Sequence, residues 1–275
     1  DLDMFAHLST HANLDVLRSY GNYIIEPTSG ELASHLVGKG RMEEPEQIIE
    51  HLEFYFSKQA DLKDKKILIT AGPTYESIDP VRFIGNYSSG KMGYALAEEC
   101  AQRGAEVVLI SGPVDLTIQS PFIHRINVKT AEEMYQYSIE RFPEMDAAIL
   151  CAAVADFTPV NTFDKKVKRK DNELSLVLKP TKDIAASLGQ MKKDNQRLIG
   201  FALETDQEEE HAKEKLRRKK LDFIVLNSLK DKGAGFQVDT NKITLINEKE
   251  IKSYPLKSKT EVAKDIIDQL KTILP

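Results

Sequence analysis

The 275-residue sequence has no tryptophan and only two cysteines, Cys100 and Cys151. Both cysteines sit in apolar-patterned segments, and no Cys/His spacing of the zinc type occurs, which sets aside a disulfide framework and a structural zinc site. They read as buried free thiols of a reducing cytoplasm. The histidines (His7, His11, His35, His51, His124 and His211) are scattered and make no HExxH pair, so a His-ligated metal is not expected. No apolar run approaches the roughly 20 residues of a membrane span, and no basic-apolar leader opens the chain. An excess of positive charge is also missing. The net charge of −5 argues against a general nucleic-acid or membrane surface, so any basic cluster is a local site. Repeats and low-complexity tracts are absent. So is the GxGxxG dinucleotide fingerprint: Gly72-Pro73-Thr74 follows the first strand, and Ser111-Gly112-Pro113 stands where a matching acidic residue would. That disfavours a nicotinamide-linked oxidoreductase.

What is present is 41% hydrophobic and 29% charged, enough for one large or two modest globular domains. Residues 10–20 are weakly helical, Tyr23-Ile24-Ile25 is a short strand candidate, and a glycine-rich loop ends at Arg41. Pro45 suits a helix start, with Ile48, Leu52 and Tyr55 on one face. The polar stretch 57–65 is the best linker, giving expected domains of 1–57 and 58–275. Beyond it, strands are expected at 66–70, 106–111, 146–152, 197–202 and 223–227. Helices are expected at 91–103, 131–142, 182–190, 205–220 and 260–272. This rhythm predicts an α/β fold with a doubly wound, mostly parallel, Rossmann-like sheet and ligands at the strands' carboxyl ends. Residues 173–179, 243–247 and 250–256 break the rhythm and read as a β extension for dimerisation.

Residues 66–93 carry the strongest signal: an apolar strand, a glycine loop, then Ser88-Ser89-Gly90-Lys91-Met92-Gly93 opening a helix. Such a helix start offers N–H groups to an anion. Gly85 to Lys91 satisfies GxxxxGK, but Met92 stands where a P-loop needs Ser or Thr, and fifteen residues separate Gly85 from Ile69. A P-loop is therefore set aside, leaving either an anion seat at Ser88, Ser89 and Gly90 or a plain Ser-capped helix. Small residues in Cys151-Ala152-Ala153-Val154-Ala155-Asp156 end the third strand, and Asp156 faces the crevice or serves as a cap. The run 165–170, KKVKRK, reads as a flap over polyphosphate or as a solvated loop. The helix at 205–220 runs from acidic to basic, in keeping with its dipole. Lys215 and Lys219 lie one turn apart on it.

Taken in order, AGPTYESIDPVRFIGNYSSGKMG, CAAVADF, KKVKRK, GFALET and LDFIVLN closely resemble the phosphopantothenate–cysteine ligase (phosphopantothenoylcysteine synthetase) domain of bacterial bifunctional coenzyme A biosynthesis proteins, over about residues 62–275. Residues 1–56 resemble the end of the flavin-dependent phosphopantothenoylcysteine decarboxylase domain that precedes it. There DLDMF at 1–5 matches a substrate loop and SGELASHLVGKGRM at 29–42 a substrate clamp. This chain departs from that domain in two places: the loop asparagine falls on Asp1 and the clamp's proton-donating cysteine on Ser34. Its flavin mononucleotide would belong to that half alone, and no decarboxylase activity is expected of this chain.

The resemblance implies that CTP, with magnesium, activates the carboxylate of 4′-phosphopantothenate as an acyl-cytidylate with loss of pyrophosphate. The amine of L-cysteine then displaces CMP. It implies that Asn86 binds the acyl-cytidylate carbonyl, that Arg82 is catalytic beside it, and that Lys166 contacts the triphosphate. It places Leu150, Cys151 and Ala152 along the nucleotide, with Asp156 as the neighbouring acid. Lys182, Asp183, Ile184 and Ala185 form a nucleotide loop, although this chain reads PTKDI where the family reads NPDI. Phe201 lies near the base, and Lys215 and Lys219 reach the nucleotide. A cytoplasmic homodimer is implied, with a higher oligomer for the longer protein, and with neither nucleic-acid nor membrane partners. The competing reading is a non-catalytic nucleotide-binding module that assembles or regulates a flavoprotein.

Overall fold

The computed structural model describes residues 2–32, 34–118, 120–168, 174–204, 208–228 and 238–275. Asp1, the last two residues of the basic run, the start of the strand expected from 173 and the first turn of the helix expected from 205 lie outside them. The chain forms two compact units, Asp1–Gln59 and Ala60–Pro275.

The first unit holds α1 (Leu2–Ala6), α2 (Leu8–Ser19), the antiparallel pair β1 (Thr28–Glu31) and β2 (Val37–Arg41), and α3 (Pro45–Gln59). The glycine-rich loop is thus a hairpin, and Tyr23–Ile25 joins no strand. Neither α1 nor α2 buries a residue. The boundary between the two units falls inside the polar stretch at 57–65. The first three residues of that stretch end α3, and Leu62 is buried with its N–H donated to the Arg103 carbonyl at 2.9 Å.

The second unit runs β3 (Lys66–Ala71), β4 (Tyr75–Ser77), β5 (Phe83–Gly85), α4 (Lys91–Gln102), β6 (Glu106–Ser111), β7 (Ile123–Asn127), α5 (Ala131–Arg141) and β8 (Ala147–Leu150). It continues with β9 (Phe157–Pro159), β10 (Leu178–Pro180), α6 (Ile184–Met191), β11 (Arg197–Glu204), α7 (Glu208–Arg218) and β12 (Phe223–Ser228). It ends with β13 (Thr240–Asn241), β14 (Ile243–Ile246), β15 (Ile251–Ser253), β16 (Lys257–Ser258) and α8 (Lys259–Ile273). The main sheet has eight strands in the order β15-β14-β12-β11-β8-β3-β6-β7. Six are parallel, and β14 and β15 form an antiparallel edge.

The residues dictate this double winding. Along β3, Ile67, Ile69 and Ala71 enter one core while Leu68 enters the other; β12 likewise sends Phe223 and Val225 one way and Ile224 and Leu226 the other. The first core is closed by α4 through Leu96 and Cys100 and by α8 through Val262, Ile266 and Leu270. The second is closed by Met134 of α5, Leu188 of α6 and Leu216 of α7. The expected β extension is corrected in part. Residues 243–246 and 251–253 are the edge of the main sheet itself, and among the described residues of the 173–179 stretch only Leu178 and Lys179 lie in a strand, β10, which pairs with β9.

In chain order the parallel strands lie 3-2-1-4-5-6, so the order reverses between β3 and β8. A crevice opens beyond the carboxyl ends of the strands at that reversal. Among the described residues, no helix is long and apolar enough to cross a membrane.

Candidate functional site

The crevice floor is the strip that follows β8. Cys151 donates its N–H to the Thr70 carbonyl at 3.2 Å, Ala153 to the Gly72 carbonyl at 2.9 Å, and Ala155 to Thr74 Oγ1 at 3.0 Å. Thr181 Oγ1 donates to the Ala155 carbonyl at 2.7 Å, and Thr181 N–H to the Asp156 carbonyl at 2.9 Å. Buried Thr70 and Thr74 and half-buried Thr181 thus hold a run of small side chains, and a ligand can approach the backbone there.

Two cavities flank this strip. The larger, a groove of about 840 Å³, is lined by Leu150, Ala152, Asp156, Lys182, Asp183, Ile184, Ala185, Phe201, Lys215 and Lys219. The smaller, about 460 Å³, is lined by Asn86, Ser88, Ser89, Gly90, Cys151, Ala152 and Phe201. The structure therefore brings every sequence-predicted site residue to one of the two cavities except Arg82 and Lys166. Ala152 and Phe201 wall both.

The groove is cationic on its α6–α7 side. Asp183 caps α6, accepting the Ala186 N–H at 3.0 Å, and pairs with Lys219 Nζ at 2.9 Å. Burial opposes its ionisation, but the Ala186 N–H and the Lys219 ammonium outweigh it and hold the carboxyl below its ordinary value. Lys182 pairs with Glu132 at 2.6 Å and lies 4.8 Å from the Tyr135 ring. Its hydrogen bond, with one from Gln136, lowers the Glu132 carboxyl. Asp156 is exposed at the groove mouth. Burial pushes the Cys151 thiol up to about 12, and the residue lines the smaller cavity.

The smaller cavity sits at the start of α4. The helix is not Ser-capped: Gly90 occupies the cap in a left-handed conformation, φ 74°, and makes no side-chain cap bond. Ser88 Oγ instead accepts the Gly90 N–H at 3.3 Å. Gly93 lies so close to β3 that an added Cβ would sit 2.5 Å from the Ala71 Cβ. An added Cβ at Gly90 would meet Val114 Cγ1 at 2.9 Å. Gly90→Ala is therefore expected to lower stability by about 1–2 kcal/mol, from the left-handed backbone and the contact together. Thermal unfolding checks this, and Val114→Ala should recover only the contact part.

Sequence reasoning missed three residues of the smaller cavity: Asn227, Asn241 and Lys259. Asn241 Nδ2 donates to Asn227 Oδ1 at 3.1 Å. Lys259, 8% exposed, opens α8, and burial followed by the charge of Lys91 pushes its ammonium below its ordinary value. Lys91 itself pairs with Asp239 at 2.6 Å. Asn227 stands one residue before the end of apolar β12, a position where a ligand residue is legible. Nothing local marks Asn241 or Lys259, which reach the cavity only through the β13–β16 pairing.

Arg82 and Lys166 lie apart. Arg82 turns to the buried carboxylate of Asp79, donating Nε at 3.0 Å, and to the Val167 carbonyl at 2.8 Å. Lys166 is exposed in the adjoining loop. Asn86 Nδ2 donates to the Val154 carbonyl at 2.9 Å, which bridges its loop to the strip.

A family model described as the DNA/pantothenate metabolism flavoprotein C-terminal domain matches residues 62–274. A cysteine/cysteine sulfinic acid decarboxylase from an unknown prokaryotic organism is 56% identical over 279 residues, covering all of this chain and 78% of that protein. The coenzyme A biosynthesis bifunctional protein CoaBC of Bacillus subtilis (strain 168) is 45% identical, covering 98% of this chain and 67% of its own length. Among solved structures, the C-terminal domain of a coenzyme A biosynthesis bifunctional protein CoaBC is 42% identical. It superposes with a TM-score of 0.67, over 78% of this chain and 98% of that one.

Proposed function

Because this chain belongs to the DNA/pantothenate metabolism flavoprotein C-terminal domain family, we propose that it is a ligase of coenzyme A biosynthesis that joins L-cysteine to 4′-phosphopantothenate at the expense of CTP. The observation that carries this reading is the paired cavity beside the Cys151–Asp156 strip, with one cationic groove and one helix-terminus seat sharing a wall. Such a pair can hold a nucleoside triphosphate and a second anionic substrate with their reacting atoms adjacent.

In this reading the groove takes the nucleotide. Lys215, Lys219 and Lys182 meet its charge, and the Leu150–Ala152 backbone and Phe201 border its sugar and base. Ser88, Ser89 and Gly90 seat an anion at the uncapped start of α4. Lys166 screens the triphosphate while the substrate carboxylate attacks the α-phosphorus and pyrophosphate leaves. Asn86 then donates to the acyl carbonyl as the cysteine amine adds and CMP leaves. Among the described residues no carboxylate cluster is placed to cage a metal ion, so magnesium would be held chiefly by triphosphate oxygens and water, with Asp156 the exposed carboxylate nearby. When bound with the triphosphate it would supply further charge neutralisation.

The first unit, a hairpin and three helices among its described residues, resembles the tail of a decarboxylase. No step is assigned to flavin. A homodimer is supported by exposed apolar side chains on the two small hairpins, among them Val81, Phe83, Phe157 and Leu178.

The test is pyrophosphate release with phosphopantothenate and cysteine, comparing CTP with ATP at equal concentration. CTP is expected to be the better substrate by at least about tenfold, the discrimination a few base contacts provide. Nucleotide binding without turnover would favour the assembly-module reading instead. A second reading, decarboxylation of a cysteine-type substrate, draws on the name of the 56% relative. Carbon dioxide release from cysteine by this chain would favour it.

A further inference from the structure

Resting on the ligase reading above, we propose that Asp79 is a positioning residue: it clasps the backbone of the flap at Val167 and so sets the approach of Lys166. The side chain of Asp79 is wholly buried and gathers donors from two separate loops. Its Oδ1 accepts the N–H groups of Val81 at 2.8 Å and Arg82 at 2.9 Å. Its Oδ2 accepts the Arg82 guanidinium and, from 88 residues away, the Val167 N–H at 3.1 Å. The same guanidinium donates to the Val167 carbonyl at 2.8 Å. Val167 is therefore gripped on both sides, its N–H by Asp79 and its carbonyl by Arg82. Lys166 precedes that N–H directly, so its Cα is fixed with it.

A second tie supports the first. The Phe163 N–H donates to the Ile78 carbonyl at 2.9 Å, so the flap hangs on the 78–82 turn at two points. That turn is closed by the Ile78 N–H on the Arg82 carbonyl at 2.8 Å. It also leads through β5 to Asn86, so one carboxylate joins the loops of Lys166 and Asn86. The chemistry suits a permanent anchor. The hydrogen bond from Arg82 holds the Asp79 carboxyl far below the usual range, against the opposing effect of burial, and the N–H groups of Val81, Val167 and Arg82 add to it. The anchor stays ionised wherever the enzyme would work. Arg82, expected from resemblance to be catalytic, is here the partner of this anchor.

The experiment uses Asp79→Asn and Val167→Pro, each alone and combined with Lys166→Gln. Asn keeps the size of Asp79 but loses the charge and turns an N–H₂ toward its donors. Pro removes the gripped N–H, and with it fixes φ at 167 and restricts Lys166, but leaves the Asp79–Arg82 pair in place, which serves if Asp79→Asn folds poorly. Expected is a fall of about 100-fold in kcat for pyrophosphate release, with the KM for phosphopantothenate unchanged. No further loss is expected when either change is added to Lys166→Gln. Tryptic cleavage after Lys165 and Lys168 should quicken about tenfold in both variants, measured well below each variant's own unfolding midpoint. In a parent protein that turns over, losses that add to that of Lys166→Gln, or unchanged flap cleavage, overturn the clasp. A parent that releases no pyrophosphate overturns the ligase reading, and with it any role for Lys166 that Asp79 would serve.

Discussion

Replacing Lys166 with Gln should reduce pyrophosphate release by about 1,000-fold while leaving the fold intact. The argument is electrostatic. A carboxylate attacking a triphosphate brings like charges together, and the leaving pyrophosphate gathers more. A cation held at that point stabilises the transition state more than the ground state. Gln keeps an N–H donor one bond closer to the backbone but carries no charge, so the loss reports chiefly on the charge. Lys166 is exposed on its loop, which makes a folding defect an unconvincing explanation for lost activity. Asn86→Asp should behave oppositely. Pyrophosphate should still form while acyl-cytidylate accumulates, because a carboxylate cannot donate to the acyl carbonyl. Quenched-flow separation of pyrophosphate from CMP distinguishes the two blocks. If both variants turned over like the parent, the assignments would be wrong.

Arg103→Ala should have the largest effect on stability, about 3 kcal/mol, lowering the midpoint of the second unit by roughly 9 °C. Arg103 lies at the end of α4 and donates to both oxygens of Asp61, at 2.7 and 2.6 Å, and to Asp268 of α8 at 2.7 Å. Its carbonyl accepts the Leu62 N–H. One half-buried guanidinium therefore pins the turn before β3, α4 and α8 together. Truncation would leave the Asp61 carboxylate, only 20% exposed, with Lys271 as its remaining partner. The sign with pH follows from Asp61, whose carboxyl is lowered from 3.8 to about 2, first by the Arg103 hydrogen bond. A lowered carboxyl stabilises fully above its unfolded value and loses that contribution as pH falls through the folded one. The gap between parent and variant should thus be widest near neutrality and shrink between pH 3.8 and about 2. Denaturation curves at pH 7 and pH 3 test this, and equal midpoints at pH 7 would refute it.

The parts of the fold that were legible are those whose local pattern and tertiary role agree. The strands β3, β6, β11 and β12 are continuous apolar runs because both faces are covered, and their helices show one apolar stripe. The edge strand β7 was missed because His124 and Arg125 interrupt its run, as an edge permits. The hairpin β4–β5 has only three residues a strand, too short for periodicity to register. Ala152 and Asp156 were legible at a strand end, whereas Asp183 and Phe201 were indicated only by the family resemblance; all four line the groove. Lys259 and Asn241 were not, because only the folding back of the last 40 residues brings them to the cavity. Nor does Asp79 announce in sequence that it holds a loop 88 residues away.

The shared wall of Ala152 and Phe201 has a practical side. Two small fragments, each lodged weakly on its own side, would lie within reach of a short tether. A linked compound would then gain from the high local concentration of its second half. It would also fit nothing that offers only one of the two rooms, so selectivity would come from the spacing rather than from either fragment.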